Sequence, residues 1–248
     1  MNILVIHEVD WLKKVSFEIH HLSELLSIRG HNIYAIDVPE PGSIISKKNS
    51  KEISNYHRIY DDTSITIFHT PSISIKGLNR ISAYFSSYNF IKNILQEKKI
   101  DIVLMYSVVT NAKAAVKACE ELQIPLIHRT FDIVHDLIRE NYLRNKVEKI
   151  EREIYPKFGK VIANTPFMME WSKEMGAKNV IVIPQGVDPT IMKPLEKDTK
   201  LLSSLGFAET DKIILSVGSI ESFSGLDDLI NQIPSTFNFN NLSHSFLT

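Results

Sequence analysis

The chain has 248 residues, is 44% hydrophobic, and carries 28 basic against 29 acidic side chains, a formal net charge of −1. That is enough apolar material for one or two cores, without the basic excess that marks a dedicated nucleic-acid binder. No apolar run reaches the roughly 18 residues of a membrane span, and the apolar start lacks the basic residues and cleavage site of a signal peptide. Cys119 is the only cysteine, which excludes an intramolecular disulfide and a cysteine-rich metal centre. It is expected to be a small buried hydrophobe, and a reducing, cytoplasmic setting fits.

Residues 2–6, NILVI, form a continuous apolar run, the pattern of a strand covered on both faces. Phe17, Ile19, Leu22, Leu25, Leu26 and Ile28 then fall at helical spacing over 15–29, with Gly30 where a helix ends. Residues 32–36 read as a second strand, and strand–helix–strand implies a right-handed crossover in a parallel sheet. The polar stretch 38–62, with Pro39, Pro41, Gly42, Lys47, Lys48 and Lys51, reads as a long loop with a helical turn near 52–56.

A third strand is expected at 65–68, a helix at 80–97, a fourth strand at 102–105, a helix at 111–122 and a fifth strand at 126–128. The charged, periodic stretch 134–155 predicts one long helix with a solvated face. A sixth strand at 160–163, a helix at 167–175 closed by Gly176, and a seventh strand at 180–183 complete the series. Such repetition predicts an α/β fold with a doubly wound parallel sheet. Pro184 and Gly186 then end the last strand. Domains are expected at 1–184 and 211–248, joined by a linker over 185–210 with a short helix at 200–205. One strand at 213–217 and one helix at 226–230 enclose no core, so the second domain is expected to be incomplete.

Ligands of open α/β sheets bind beyond the carboxyl ends of the strands. His7, His69, Tyr106, Arg129, Asn164 and Gln185 leave the predicted strands there and can hydrogen-bond, which suits a carbohydrate or nucleotide substrate. The competing reading is that strand ends meet solvent and are polar in any such fold. No G-x-G-x-x-G or G-x-x-x-x-G-K-[ST] occurs, which argues against a nicotinamide-dependent reductase and a P-loop nucleotidase. Lys13 and Lys14, ahead of the first helix, are candidates for attracting an anion, with a solvated lysine pair as the alternative.

Residues 180–189, VIVIPQGVDP, followed by Met192-Lys193-Pro194, resemble the interdomain stretch of GT-B glycosyltransferases. The resemblance is to the large retaining, nucleotide-sugar-dependent family (glycosyltransferase family 4-like), in which Asn usually stands at Gln185 and an aromatic residue at Met192. It implies a Rossmann-like acceptor-side domain followed by a Rossmann-like donor-binding domain. The nucleotide-sugar donor is then a co-substrate, with no other cofactor and no metal, and the acceptor is a sugar, a lipid-linked sugar or a small alcohol. Residues 218–229, GSIESFSGLDDL, are similar to the family's diphosphate-binding segment. This implies donor contacts at Gly218, Ser219, Ser224 and Gly225, the two serines replacing an arginine and a lysine and weakening the grip on a diphosphate.

The family's His-Asp pair after the fifth strand falls on Phe131-Asp132, so Asp132 and the nearby His135 are the catalytic candidates, while His128 also fits a core histidine. No counterpart of the family's paired glutamates is present. The expectation is a chain truncated early in the donor domain, inactive alone and prone to self-association through that domain. Lys47, Lys48 and Lys51 suggest a peripheral membrane contact, with a solvated basic loop as the plainer alternative. The rival function is a non-enzymatic α/β module, a split subunit or inactive relative that binds a sugar or a partner.

Overall fold

Residue types that favour a pleated, buried surface cluster in short runs along this chain, and each run enters one sheet. In a computed structural model, which describes residues 1–40, 52–75, 78–106, 108–217 and 225–232, the strands are β1 (Asn2–Ile6), β2 (Asn32–Asp37), β3 (Glu52–Tyr56), β4 (Ile65–His69), β5 (Ile102–Met105), β6 (Leu126–Thr130), β7 (Lys160–Ala163) and β8 (Val180–Val182). Their order in the sheet is β3-β4-β2-β1-β5-β6-β7-β8, and every pair is parallel except β3 with β4. The helices are α1 (Glu18–Ile28), α2 (Leu78–Glu97), α3 (Ala112–Leu122), α4 (Asn141–Ile154), α5 (Pro166–Glu174), α6 (Thr199–Ser204) and α7 (Leu226–Gln232).

Alternation along the strands builds two cores. Leu4 and Ile6 of β1, Ile36 of β2 and Phe68 of β4 join one cluster with the buried faces of α2, α3, α4 and α5. Ile3, Val5, Ile33, Ala35, Ile65 and Ile67 point the other way, against Ile19 of α1 and the fully buried Trp11. Helices cover both faces, as a doubly wound sheet requires. Cys119 lies in the first cluster, and burial pushes its thiol up to about 12, in keeping with a small inert hydrophobe.

Within residues 1–187 two expected elements differ. The helical turn expected near 52–56 is instead an edge strand, antiparallel to β4. Ile53 and Tyr56 both pack on the second core at a spacing of three, which mimics a helix. A register shift between them, with Asn55 at φ 57°, inserts one extra residue and turns both inward. The helix expected over 134–155 is broken into a 3₁₀ turn (Val134–Leu137), an extended link and then α4. The buried Glu151 holds the turn against α4: its Oε1 accepts from the Val134 N–H (3.2 Å) and its Oε2 meets His135 Nδ1 (2.5 Å). Burial pushes the Glu151 carboxyl up while His135 opposes the shift.

Glu24, fully buried on α1, fastens the connection into β4. Its carboxylate accepts from the N–H groups of Arg58, Ile59 and Tyr60 and from the Thr63 hydroxyl. The chain divides after Val187 into two units. In the second, Asp198 caps α6 by accepting from the N–H groups of Lys200 and Leu201, and residues 213–217, expected as a strand, join no ladder among the described residues. Gly225 leads into α7 at φ 68°. Gly218, Ser219, Ser224, Lys47, Lys48 and Lys51 lie outside the described residues. Among the described residues no helix is long and apolar enough to cross a membrane.

Candidate functional site

The carboxyl ends of β1, β5, β6 and β7 stop beside the first turn of α1 and leave a cavity of about 380 Å³ between them. Small-molecule sites span about 300–1,000 Å³, so this one suits a compact ligand. His7 enters from β1, Tyr106 from β5, Arg129 to Asp132 from β6, Asn164 from β7, and Gln185 from the segment after β8. Phe17, Glu18 and Ile19 close the wall from α1.

Arg129 is the central fastening. Only 4% exposed, it donates from Nε and Nη2 to the two carboxylate oxygens of Glu18, each at 2.9 Å. Its Nη1 donates to the carbonyls of Ile183 (2.6 Å) and Ala163 (3.2 Å). One side chain therefore ties the ends of β6, β7 and β8 to the start of α1, where the carboxylate of Glu18 also complements the positive end of the helix. The guanidinium sits 4.7 Å over the Phe131 ring, and Phe131 stacks on Tyr106 at 5.8 Å. The Tyr106 hydroxyl donates to Glu18 at 3.4 Å, and burial, then the Glu18 charge, pushes its phenol above the usual range.

Neighbouring groups hold this arrangement from behind. Glu8 Oε1 accepts from the N–H groups of Val108 (3.0 Å) and Thr110 (2.6 Å), pinning the loop after Tyr106. His20 accepts from the Phe17 N–H through Nδ1 and donates through Nε2 to the Trp11 carbonyl, the tautomer being assigned from these partners. Burial lowers the pKa of His20 to about 4, so the ring is neutral near pH 7.

His7 lies edge-on to Phe17 at 6.3 Å and tilted against Tyr106 at 6.2 Å. Its buried Nδ1 has no hydrogen-bond partner. Burial, then repulsion from His20 and Arg80, lowers its pKa to about 4. Asn164 donates from Nδ2 to the Phe131 carbonyl at 3.4 Å, and its buried Oδ1 has no hydrogen-bond partner. The cavity thus combines aromatic walls with a few neutral polar atoms awaiting partners.

Six residues expected at the site, His7, Tyr106, Arg129, Asn164, Gln185 and Asp132, line this cavity, Asp132 at its exposed mouth. His69 does not. It is buried against Asp37, with Nδ1 2.6 Å from Oδ1, while the other oxygen of Asp37 accepts from the Trp11 N–H. Burial pushes the Asp37 carboxyl up, opposed first by the bond from His69. His135 is also absent from the lining, being engaged by Glu151. Lys13 is exposed in the loop before α1, outside the lining, and Lys14 pairs with Glu40 at 2.7 Å. His128 both lines the cavity and belongs to the core: it stacks on Phe158 at 4.6 Å, and burial lowers its pKa to about 3.

Glu18 and Phe17 went unrecognised as cavity residues in the sequence, whereas Phe131 leaves a predicted strand at the expected rim. The carboxylate in the first turn of α1 was the one available signal for Glu18, and its partner lies 111 positions away.

The solved structure of sucrose-phosphate synthase from Thermosynechococcus elongatus superposes with a TM-score of 0.69 at 14% identity, covering 94% of this chain and 60% of that one. The Anabaena protein HepE in complex with UDP-glucose gives 0.52 at 14% identity, covering 83% and 50%. The chain therefore spans between half and three-fifths of the length of these two proteins, and at such identity the likeness shows the fold. No curated protein sequence matches the chain. The sequence profile of Glycosyltransferase Family 4 matches residues 18–191, a span that holds the cavity walls from Glu18 to Gln185. With the GT-B-type sheet in place beneath that span, the chain belongs to Glycosyltransferase Family 4.

Proposed function

We propose that this chain is the acceptor-side part of a retaining glycosyltransferase, which passes a sugar from a nucleotide-sugar donor to a hydroxyl group held in the cavity. The observation that carries the reading is the position of the cavity, at the carboxyl ends of the parallel strands and inside the segment that matches the family. HepE holds UDP-glucose, which supports a nucleotide sugar as co-substrate here.

Glycosyl transfer needs the acceptor oxygen aimed at the anomeric carbon while the bond to the diphosphate breaks. Alignment of the two reactants supplies much of the rate. The strand ends and α1, bound together by Arg129 and Glu18, give a rigid seat for that alignment. Tyr106 and Phe131 wall the ligand, His7 and Asn164 offer it hydrogen bonds, and Asp132 stands at the mouth, where a hydroxyl proton can be received. Residues 218–225, with Gly225 among them, are assigned to the donor diphosphate.

The test is a chimaera in which residues 1–187 precede the donor-binding half of an active member of the family. It is expected to transfer sugar from that member's nucleotide-sugar donor, whereas the 248-residue chain alone is expected to transfer none. A chimaera that melts cooperatively and moves no sugar to any of a broad acceptor panel would overturn the proposal, and turnover by the chain alone would overturn its division of labour.

A further inference from the structure

Among the described residues the charges that line the cavity are net negative, and this bears on what fills it. Among the described residues the lining holds one cation, Arg129, against the carboxylates of Glu18 and Asp132. The five N–H groups of an arginine are its means of gripping an anion. Four of those on Arg129 are spent: two on Glu18 and two on the carbonyls of Ala163 and Ile183. A phosphate or carboxylate entering the cavity would have to displace Glu18 from this fork and then meet both carboxylates. Displacement would leave a charge without its partner in a partly desolvated site, which costs more than the exchange returns.

The groups left unengaged are neutral. His7 Nδ1 and Asn164 Oδ1 are buried polar atoms without partners, and unpaired polar atoms of this kind carry a desolvation cost until a ligand satisfies them. Burial keeps the His7 ring uncharged. Phe17, Tyr106 and Phe131 supply apolar walls for ring C–H groups.

Resting on the acceptor reading of this cavity, we infer that its ligand is an uncharged polyhydroxylated ring, such as a non-phosphorylated sugar, and that the Glu18–Arg129 pair excludes phosphorylated sugars. Ring hydroxyls satisfy the free atoms of His7 and Asn164, and the pair acts as a charge filter at the wall. Specificity here comes from rejecting the wrong ligand as much as from holding the right one.

The ¹⁵N-labelled 248-residue chain tests this by NMR titration with neutral hexoses, N-acetylhexosamines and disaccharides, beside the 6-phosphates of the same hexoses and inorganic phosphate. At least one neutral sugar is expected to shift the Asn164 side-chain amide and the backbone amides of 130–132, with its 6-phosphate bound at least about tenfold more weakly. Glu18→Gln, which frees the guanidinium, is expected to narrow or reverse that ratio. The wild-type comparison stands whether or not that variant folds.

Tighter binding of a 6-phosphate or of inorganic phosphate to the wild-type chain would overturn the inference, as would the absence of any shift at these amides across the panel. The outcome is separable from the transferase proposal. An inactive chimaera with neutral-sugar shifts intact sinks the transfer reading alone, and an active chimaera that prefers phosphorylated acceptors sinks this inference alone.

Discussion

Glu18 and Arg129 lie 111 positions apart in sequence yet share two hydrogen bonds in space, so the rim of the cavity is fastened at one point. Replacing the guanidinium by a thioether, Arg129→Met, leaves Glu18 without its counter-charge and frees two carbonyls. Because Glu18 keeps 21% of its side chain exposed, the expected loss is about 2–4 kcal/mol in urea unfolding, below the figure for a fully buried pair. A loss under about 1 kcal/mol would show that the pair does not hold the rim together. Histidines set the acid limit of the fold. His7, His20 and His128 all titrate well below 6.5 because burial disfavours their charged forms. The unfolded chain then binds more protons than the folded one, and stability is lost as pH falls from 6.5 toward about 4, and toward about 3 for His128. Asp37 and Glu151, whose pKa values are raised, oppose this, since their contribution is lost as pH rises. His128→Phe is expected to flatten the acid limb by about one proton, measured as the pH slope of unfolding free energy. An unchanged slope would contradict the neutral buried state assigned to that ring.

Elements with a clean period were legible, and those held by a single side chain were not. The runs 3–6 and 102–105 are apolar throughout and fall in β1 and β5, because both of their faces are covered. β3 escaped because the bulge at Asn55 gives its core residues a helical spacing. The break before α4 escaped because Glu151, which holds the turn there, lies 16 and 17 residues from the groups it binds. Residues 213–217 carry a strand-like composition but no described partner, and a ladder needs two strands. The strand-end rule located His7, Tyr106, Arg129 and Asn164 because topology alone brings those ends together. It also picked His69, whose side chain turns instead to Asp37. Local conformation yields one prediction at this scale. α3 ends at Gln123 in the left-handed region, φ 55°, where a side chain is strained. Gln123→Gly is expected to raise stability by about 0.5–1 kcal/mol in thermal or urea unfolding, and destabilisation would show that the Gln123 side chain has a role of its own.

At the scale of the molecule, a doubly wound sheet with a cavity at its carboxyl edge forms one unit, and the remaining residues form another. The sheet order, the family segment 18–191 and the cavity coincide in the first unit, and the proposed acceptor-binding role rests on that coincidence. The central claim is that the cavity between β1, β5, β6, β7 and α1 seats the acceptor. Steady-state kinetics of the chimaera carrying residues 1–187 test it most directly, with Phe131→Ala and Asn164→Ala as variants. Both are expected to raise the acceptor KM about tenfold while the KM for the nucleotide sugar stays within about twofold of the parent. An unchanged acceptor KM with a raised donor KM would contradict that placement.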